Sequence, residues 1–216
     1  METVRLWDQK YWFSPCYVIQ EWGRITLLGN TQKIKRANEA WICAVAMICL
    51  SKIEPAEWWI QIPENDPPDV LAMKLLPHKD GLGNSLHEFQ IEVFEISSHD
   101  KKESIEDSIK RKLGVKDYSG IHIIAFVRRL GFFDHNILAT HIQNLKPKAL
   151  SVSIMVREEE NTNISFIQLF PGCIKFKHDW GLVCKTTNQR DFIELKRGTK
   201  IIKNDASTDD RLTLIP

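Results

Sequence analysis

The sequence predicts an α/β protein, a mixed central β-sheet flanked by helices, with additional β-strands at both termini. Three observations carry this. The segment "NTQKIKRANEAWICAVAMICLSKI" repeats apolar residues (Ile34, Trp41, Val45, Ile48) at helical spacing. Three apolar segments follow it: "EWWIQI", "DVLAMKLL" and "HEFQIEVFEIS". Helical and strand patterns then alternate, as they do where helices cover the faces of a sheet.

At 216 residues the chain reads as a single domain over 1–216. Its core spans 31–170. Residues 1–29 hold aromatic strands, and 171–216 form a β appendage or an outer rim of the sheet.

In the first 29 residues "YVIQEW" and "RITLLG" read as short strands closed by Gly29–Asn30. Asn30 or Thr31 caps a helix over 31–52, polar on one side at first and apolar nearly all round later, so it enters the core. "PENDPP" is a turn, because stacked prolines cannot stay inside a sheet. "PHKDGLGNS" connects the second and third strands. "KKESIEDSIKRKLG" is a helix with Ile105, Ile109 and Leu113 on one stripe and Gly114 as its stop. "GIHIIAFVRR" is a buried strand, and "DHNILATHIQNLKP" is a helix capped by Asp134. "ALSVSIMV" and "ISFIQLF" are strands on either side of the turn "REEENTN". "CIKFK", "GLVCK", "DFIEL" and "TKII" are short strands, and "NDASTDD" is a loop.

The net charge is +1, so no global field announces nucleic acid or a basic partner, and any such surface is local. The five cysteines form no Cys-x-x-Cys pair, and the start of the chain lacks an apolar secretory core. Both features point to a reducing, cytoplasmic setting. "AWICAVAMICL" is too short to span a bilayer and reads as buried helix, so no membrane partner is expected. The seven histidines show no ligand spacing, and His122 on its buried strand reads as a satisfied core residue. "GLGN" lies between two strands and lacks the strand-to-helix setting of a phosphate loop. The basic runs "KIKR" (33–36), "KRK" (110–112) and "VRR" (127–129) can touch phosphates, although solvated surface is the commoner fate of such residues.

Three acids stand out. Asp69 opens the second strand behind two prolines, which hold it at a sheet end where sites are often built. The plainer reading is a turn aspartate bonded to local backbone. Glu92 sits on the third strand, where the alternation slips after Val93. Either both faces are buried there, or a bulge at 93–94 puts Glu92 and Glu95 on one face. A glutamate entering an apolar strand is costly unless paired or bound to metal. Glu39 lies where the first long helix turns from polar to apolar, with an ion pair to Lys35 or Arg36 as its ordinary alternative.

A helix carrying Glu39, then "PPDV" on the second strand, "IEVFEI" on the third, and the helices and strands that follow together resemble the PD-(D/E)xK nuclease superfamily. The resemblance covers roughly residues 31–157 as an order of elements. It implies a restriction-endonuclease-like core and a metal-dependent phosphodiesterase acting on DNA. Asp69 and Glu92 would hold Mg2+ or Mn2+ with help from the Val93 carbonyl, and Glu39 would match the helix acid of many members. Many such enzymes act as dimers, so a homo-oligomer is compatible. One departure is plain: Phe94 occupies the position of the family's lysine. Three explanations compete. A cation comes from elsewhere, with Lys101, Lys102 and Lys110 as candidates; or metal alone suffices; or the domain has lost its chemistry and kept a binding or structural role.

Overall fold

The computed structural model describes residues 6–28, 31–52, 56–64, 68–77, 84–96, 103–128, 133–157, 163–179, 190–195, 199 and 201–203. In chain order the elements are β1 (Tyr11–Phe13), α1 (Pro15–Leu28), α2 (Thr31–Ser51), β2 (Trp58–Gln61), β3 (Val70–Pro77), β4 (Asn84–Ile96) and α3 (Ile105–Val115). They continue with β5 (Ile121–Val127), α4 (His135–Asn144), β6 (Ser151–Arg157), β7 (Asn163–Phe170), β8 (Ile174–Asp179), β9 (Phe192–Glu194) and β10 (Ile201–Lys203). The chain is therefore mixed α/β. It divides into two compact units, Met1–Ile91 with Val183–Lys203 and Glu92–Leu182 with Asn204–Pro216.

In the first unit the strand order is β4-β3-β2-β1-β9, antiparallel at each step, and β10 pairs parallel with β4. Trp12, Trp59 and Met73 form one buried cluster, with Leu71, Leu86 and Ile193 packed against it. The helix α2 is buried without a break from Ile42 to Leu50, as its all-round apolar second half requires. It packs on β2 and β3 and against α1, where Trp22 Nε1 donates to Asn38 Oδ1 at 2.7 Å.

The segment expected to form the strands "YVIQEW" and "RITLLG" is instead the helix α1. Its cause is local. Pro15 takes the first helical position, where its missing N–H costs nothing. The Ser14 hydroxyl accepts from the Tyr17 N–H at 3.2 Å, and the Ser14 carbonyl accepts from Val18 at 3.1 Å. A Ser-Pro start signal overrides the strand preference of the β-branched and aromatic residues behind it.

In the second unit the order is β8-β7-β6-β5-β4, with β5 and β6 parallel and β6, β7 and β8 antiparallel. Every residue of β5 is buried, as its continuous apolar run predicts. Ile109 from α3, Ile142 from α4, and Ile123, Ile154 and Ile96 from the strands share one core cluster. The α3 N-terminus is capped by Ser104, which accepts from the Asp107 N–H at 3.0 Å. The Asp134 carboxylate caps α4 by accepting from Asn136 and Ile137 at 2.8 and 3.2 Å. Gly114 does not stop α3; the helix runs to Val115 and its C-cap is Lys116.

The expected strand "GLVCK" (181–185), the loop "NDASTDD", and residues 65–67, 78–83 and 158–162 of the expected turns and connection lie outside the described residues. Among the described residues no helix is long and apolar enough to cross a membrane.

Candidate functional site

The acids singled out in the sequence fall in different units: Asp69 and Glu39 in the first, Glu92 in the second. Asp69 occupies a bend immediately before β3 and is half-buried. Glu39 lies one turn beyond Lys35 on α2 and makes the ordinary i,i+4 ion pair with it at 3.4 Å.

Glu92 is held quite differently. The strand β4 is buried at Ile91, Glu92 and Val93 in succession, so it enters a region covered on both faces. The bulged alternative that would put Glu92 beside Glu95 is not adopted. Glu92 meets lysines, whereas Glu95 is exposed and pairs with Arg128 at 2.6 Å. Phe94 and Ile96 follow Glu92 at alternate positions, and both pack into the core cluster that includes Ile109 of α3.

Two ammonium groups converge on one oxygen of Glu92. Lys112 Nζ donates to Oε1 at 2.8 Å, and Lys116 Nζ lies 2.9 Å from the same atom. The Glu92 side chain is 4% exposed, against 24% and 35% for the two lysines, so the carboxylate is enclosed and the cations retain some water. Aromatic faces complete the cluster. The Lys112 ammonium lies 5.4 Å from the Phe94 ring centroid and 5.8 Å from that of Tyr118, and Lys116 lies 5.1 Å from Tyr118. Among the described residues Glu92 Oε2 is buried without a hydrogen-bond partner.

Burial pushes the Glu92 pKa up, but the hydrogen bonds and charges of Lys112 and Lys116 outweigh it and hold the carboxyl below its ordinary value. For Lys112 burial alone lowers the pKa, and the Glu92 carboxylate, helped by Tyr118, more than reverses that. Each partner thus stabilises the charged form of the other.

The cations that meet Glu92 are Lys112 and Lys116. Lys110 is turned to its own helix and pairs with Glu106 at 2.5 Å. Lys101 and Lys102 lie outside the described residues. One signal could have found Lys112 and Lys116: with Ile105 and Ile109 they continue a single stripe at helical spacing. The run 110–112 splits three ways, to Glu106, Glu103 and Glu92. Arg36 of the run 33–36 donates to the carbonyls of Pro63 and Glu64.

A divalent metal does not fit Glu92 as it is paired. Magnesium requires near-octahedral oxygen ligation, whereas here a single carboxylate oxygen is left beside two ammonium charges. Among the described residues no group of three or more His, Cys, Asp or Glu is placed to hold a metal. Nor do the core cysteines offer a nucleophile, since burial pushes Cys49 up to about 12 and Cys43 still higher. His122 Nδ1 lies 2.8 Å from Ser151 Oγ within the core.

No protein-family model matches the chain, and no curated protein sequence matches it significantly. Fold and site together define a mixed α/β chain with an enclosed Glu–Lys–Lys cluster at the boundary of a strand and a helix.

Proposed function

We propose that the chain is a nuclease-like domain that does not use Glu92 for metal-dependent hydrolysis and acts by binding, with nucleic acid as the partner the superfamily resemblance implies. The observation that carries this reading is the engagement of Glu92 Oε1 by both Lys112 and Lys116. A carboxylate neutralised twice has little attraction left for a divalent cation. Phe94 packs under Lys112 where the superfamily places a catalytic lysine, which also supports a domain that kept its architecture and lost its chemistry. The free thiols of Cys16, Cys43, Cys49 and Cys173 suit the proposed cytoplasmic setting.

One observation favours a second reading, the metal-dependent phosphodiesterase with Asp69 and Glu92 as ligands for Mg2+ or Mn2+ and Glu39 assisting. Lys112 restores, from a helix, a cation within hydrogen-bond distance of the acid on the third strand. Under that reading a metal displaces the lysines from Glu92. Incubation of the full chain with plasmid DNA and manganese separates the two. Binding without nicking is expected. Nicking that is lost in both Asp69→Ala and Glu92→Gln establishes the enzyme instead.

A further inference from the structure

Beside the Glu92 cluster, wholly within the second unit, the end of α3 and the segment after α4 enclose a half-open cleft of about 540 Å3. That volume falls in the range of small-molecule sites. Lys110, Lys116, Lys146 and Lys148 line it against a single acid, Asp117. Leu113 and Pro147 add apolar wall. The two helix C-termini nearby each carry the equivalent of roughly half a negative charge, which accounts for part of this positive charge but not all of it.

Pairing within the cleft is uneven. Lys110 is neutralised by Glu106, and Lys116 is shared with Glu92. Lys148 reaches Asp117 only at 3.4 Å, with both side chains well exposed. Lys146 has no carboxylate partner among the described residues. Its backbone is also unusual. At φ 49° it occupies the left-handed region, where glycine or asparagine is preferred and a lysine is strained. The conformation closes the end of α4, where the Lys146 N–H donates to the Gln143 carbonyl at 3.0 Å, and it sets this lysine at the mouth of the cleft.

We propose that this cleft is a binding site for a phosphate chain, of the kind carried by a nucleoside di- or triphosphate. Lysine ammoniums act as point charges toward phosphate oxygens, and several converging on one opening suit a ligand with three or four negative charges. Lys146 and Lys148 engage the chain, and Asp117 weakens its hold. The lining does not include Asp69, Glu39 or Glu92, and the proposal is independent of whether the chain hydrolyses anything.

The test uses the full chain, titrated at low ionic strength with ATP, tripolyphosphate and a 20-nucleotide single strand. Saturable binding of tripolyphosphate and ATP is expected. The double variant Lys146→Ala/Lys148→Ala should weaken it at least tenfold, while Lys10→Ala and Lys175→Ala, both exposed and outside the cleft lining, change it less than twofold. Asp117→Asn keeps an acceptor for the Ser119 N–H and hydroxyl, so the fold is retained, and it should tighten binding about threefold. Lys146→Gly should raise the melting midpoint while weakening ATP binding, a split that a lysine serving only the helix end cannot give. Loss of affinity no greater than in the control variants, or Asp117→Asn without any gain, overturns the site. Should the oligonucleotide bind and remain unaffected by the cleft variants, while ATP and tripolyphosphate do not bind, the cleft proposal falls and the nucleic-acid reading stands. ATP binding without oligonucleotide binding leaves the cleft and removes nucleic acid as the partner.

Discussion

Lys112 Nζ lies 2.8 Å from Glu92 Oε1 and 5.4 Å from the centre of the Phe94 ring, so one helical lysine joins the strand acid to the aromatic two residues beyond it. In the superfamily that the sequence resembles, the acid and a lysine come from the same strand. Here the aromatic packs into the core, and the positive charge arrives from α3.

The sign of one substitution separates pairing from metal binding. Removing one partner from an enclosed ion pair leaves the other uncompensated and usually costs about 3–5 kcal/mol when both are fully buried. Lys112 and Lys116 keep partial contact with water. Glu92→Gln should therefore lower the unfolding free energy by about 1–3 kcal/mol in a urea titration. Acids gathered for an absent metal repel one another, and neutralising one of those stabilises a protein instead.

The same pair sets a pH dependence. The folded pKa of Glu92 is depressed below its ordinary 4.5, so its contribution is fully present above that value and is lost as pH falls through the folded pKa. Lys112 is raised above 10.5, so its contribution is present below 10.5 and is lost as pH rises through the folded pKa. The stability gap between wild type and Glu92→Gln should be widest near neutrality and close below pH 4.5. A gap that persists unchanged into strong acid would show that the loss comes from packing.

Phe94→Lys introduces the residue that the proposed nuclease likeness would place at this position. A third ammonium beside Lys112 and the loss of the ring from the core cluster should cost about 2–3 kcal/mol. Denaturation should record that loss, and a plasmid assay with manganese should show no gain of cleavage.

The cap of α4 gives a local check. Asp134 accepts two backbone N–H bonds, so Asp134→Ala should cost about 1 kcal/mol, whereas Asp134→Asn should cost only a fraction of that. Equal losses in both variants would place the effect outside the cap.

Elements with strong local periodicity were legible in the sequence. The stripe of α2 and the apolar run of β5 each specify their element without help from distant residues. Helix α1 was hidden because its β-branched and aromatic residues suit a strand, and the deciding signal, Ser14 followed by Pro15, is two residues long. At Glu92 the slip after Val93 was legible but allowed two readings, a bulge or burial on both faces, and the structure has the second. Its partners were harder to see, since Lys112 and Lys116 are brought to it by the packing of α3 across 20 or more positions of chain. The cleft was not legible at all, because its lysines come from the ends of two helices separated by β5.

Titration calorimetry of the full chain with manganese, in wild type and Glu92→Gln, addresses the state of this carboxylate most directly. With Glu92 satisfied by two lysines, no saturable binding should disappear on substitution. Saturable manganese binding in the wild type that Glu92→Gln abolishes would contradict the pairing and return the acid to a metal centre.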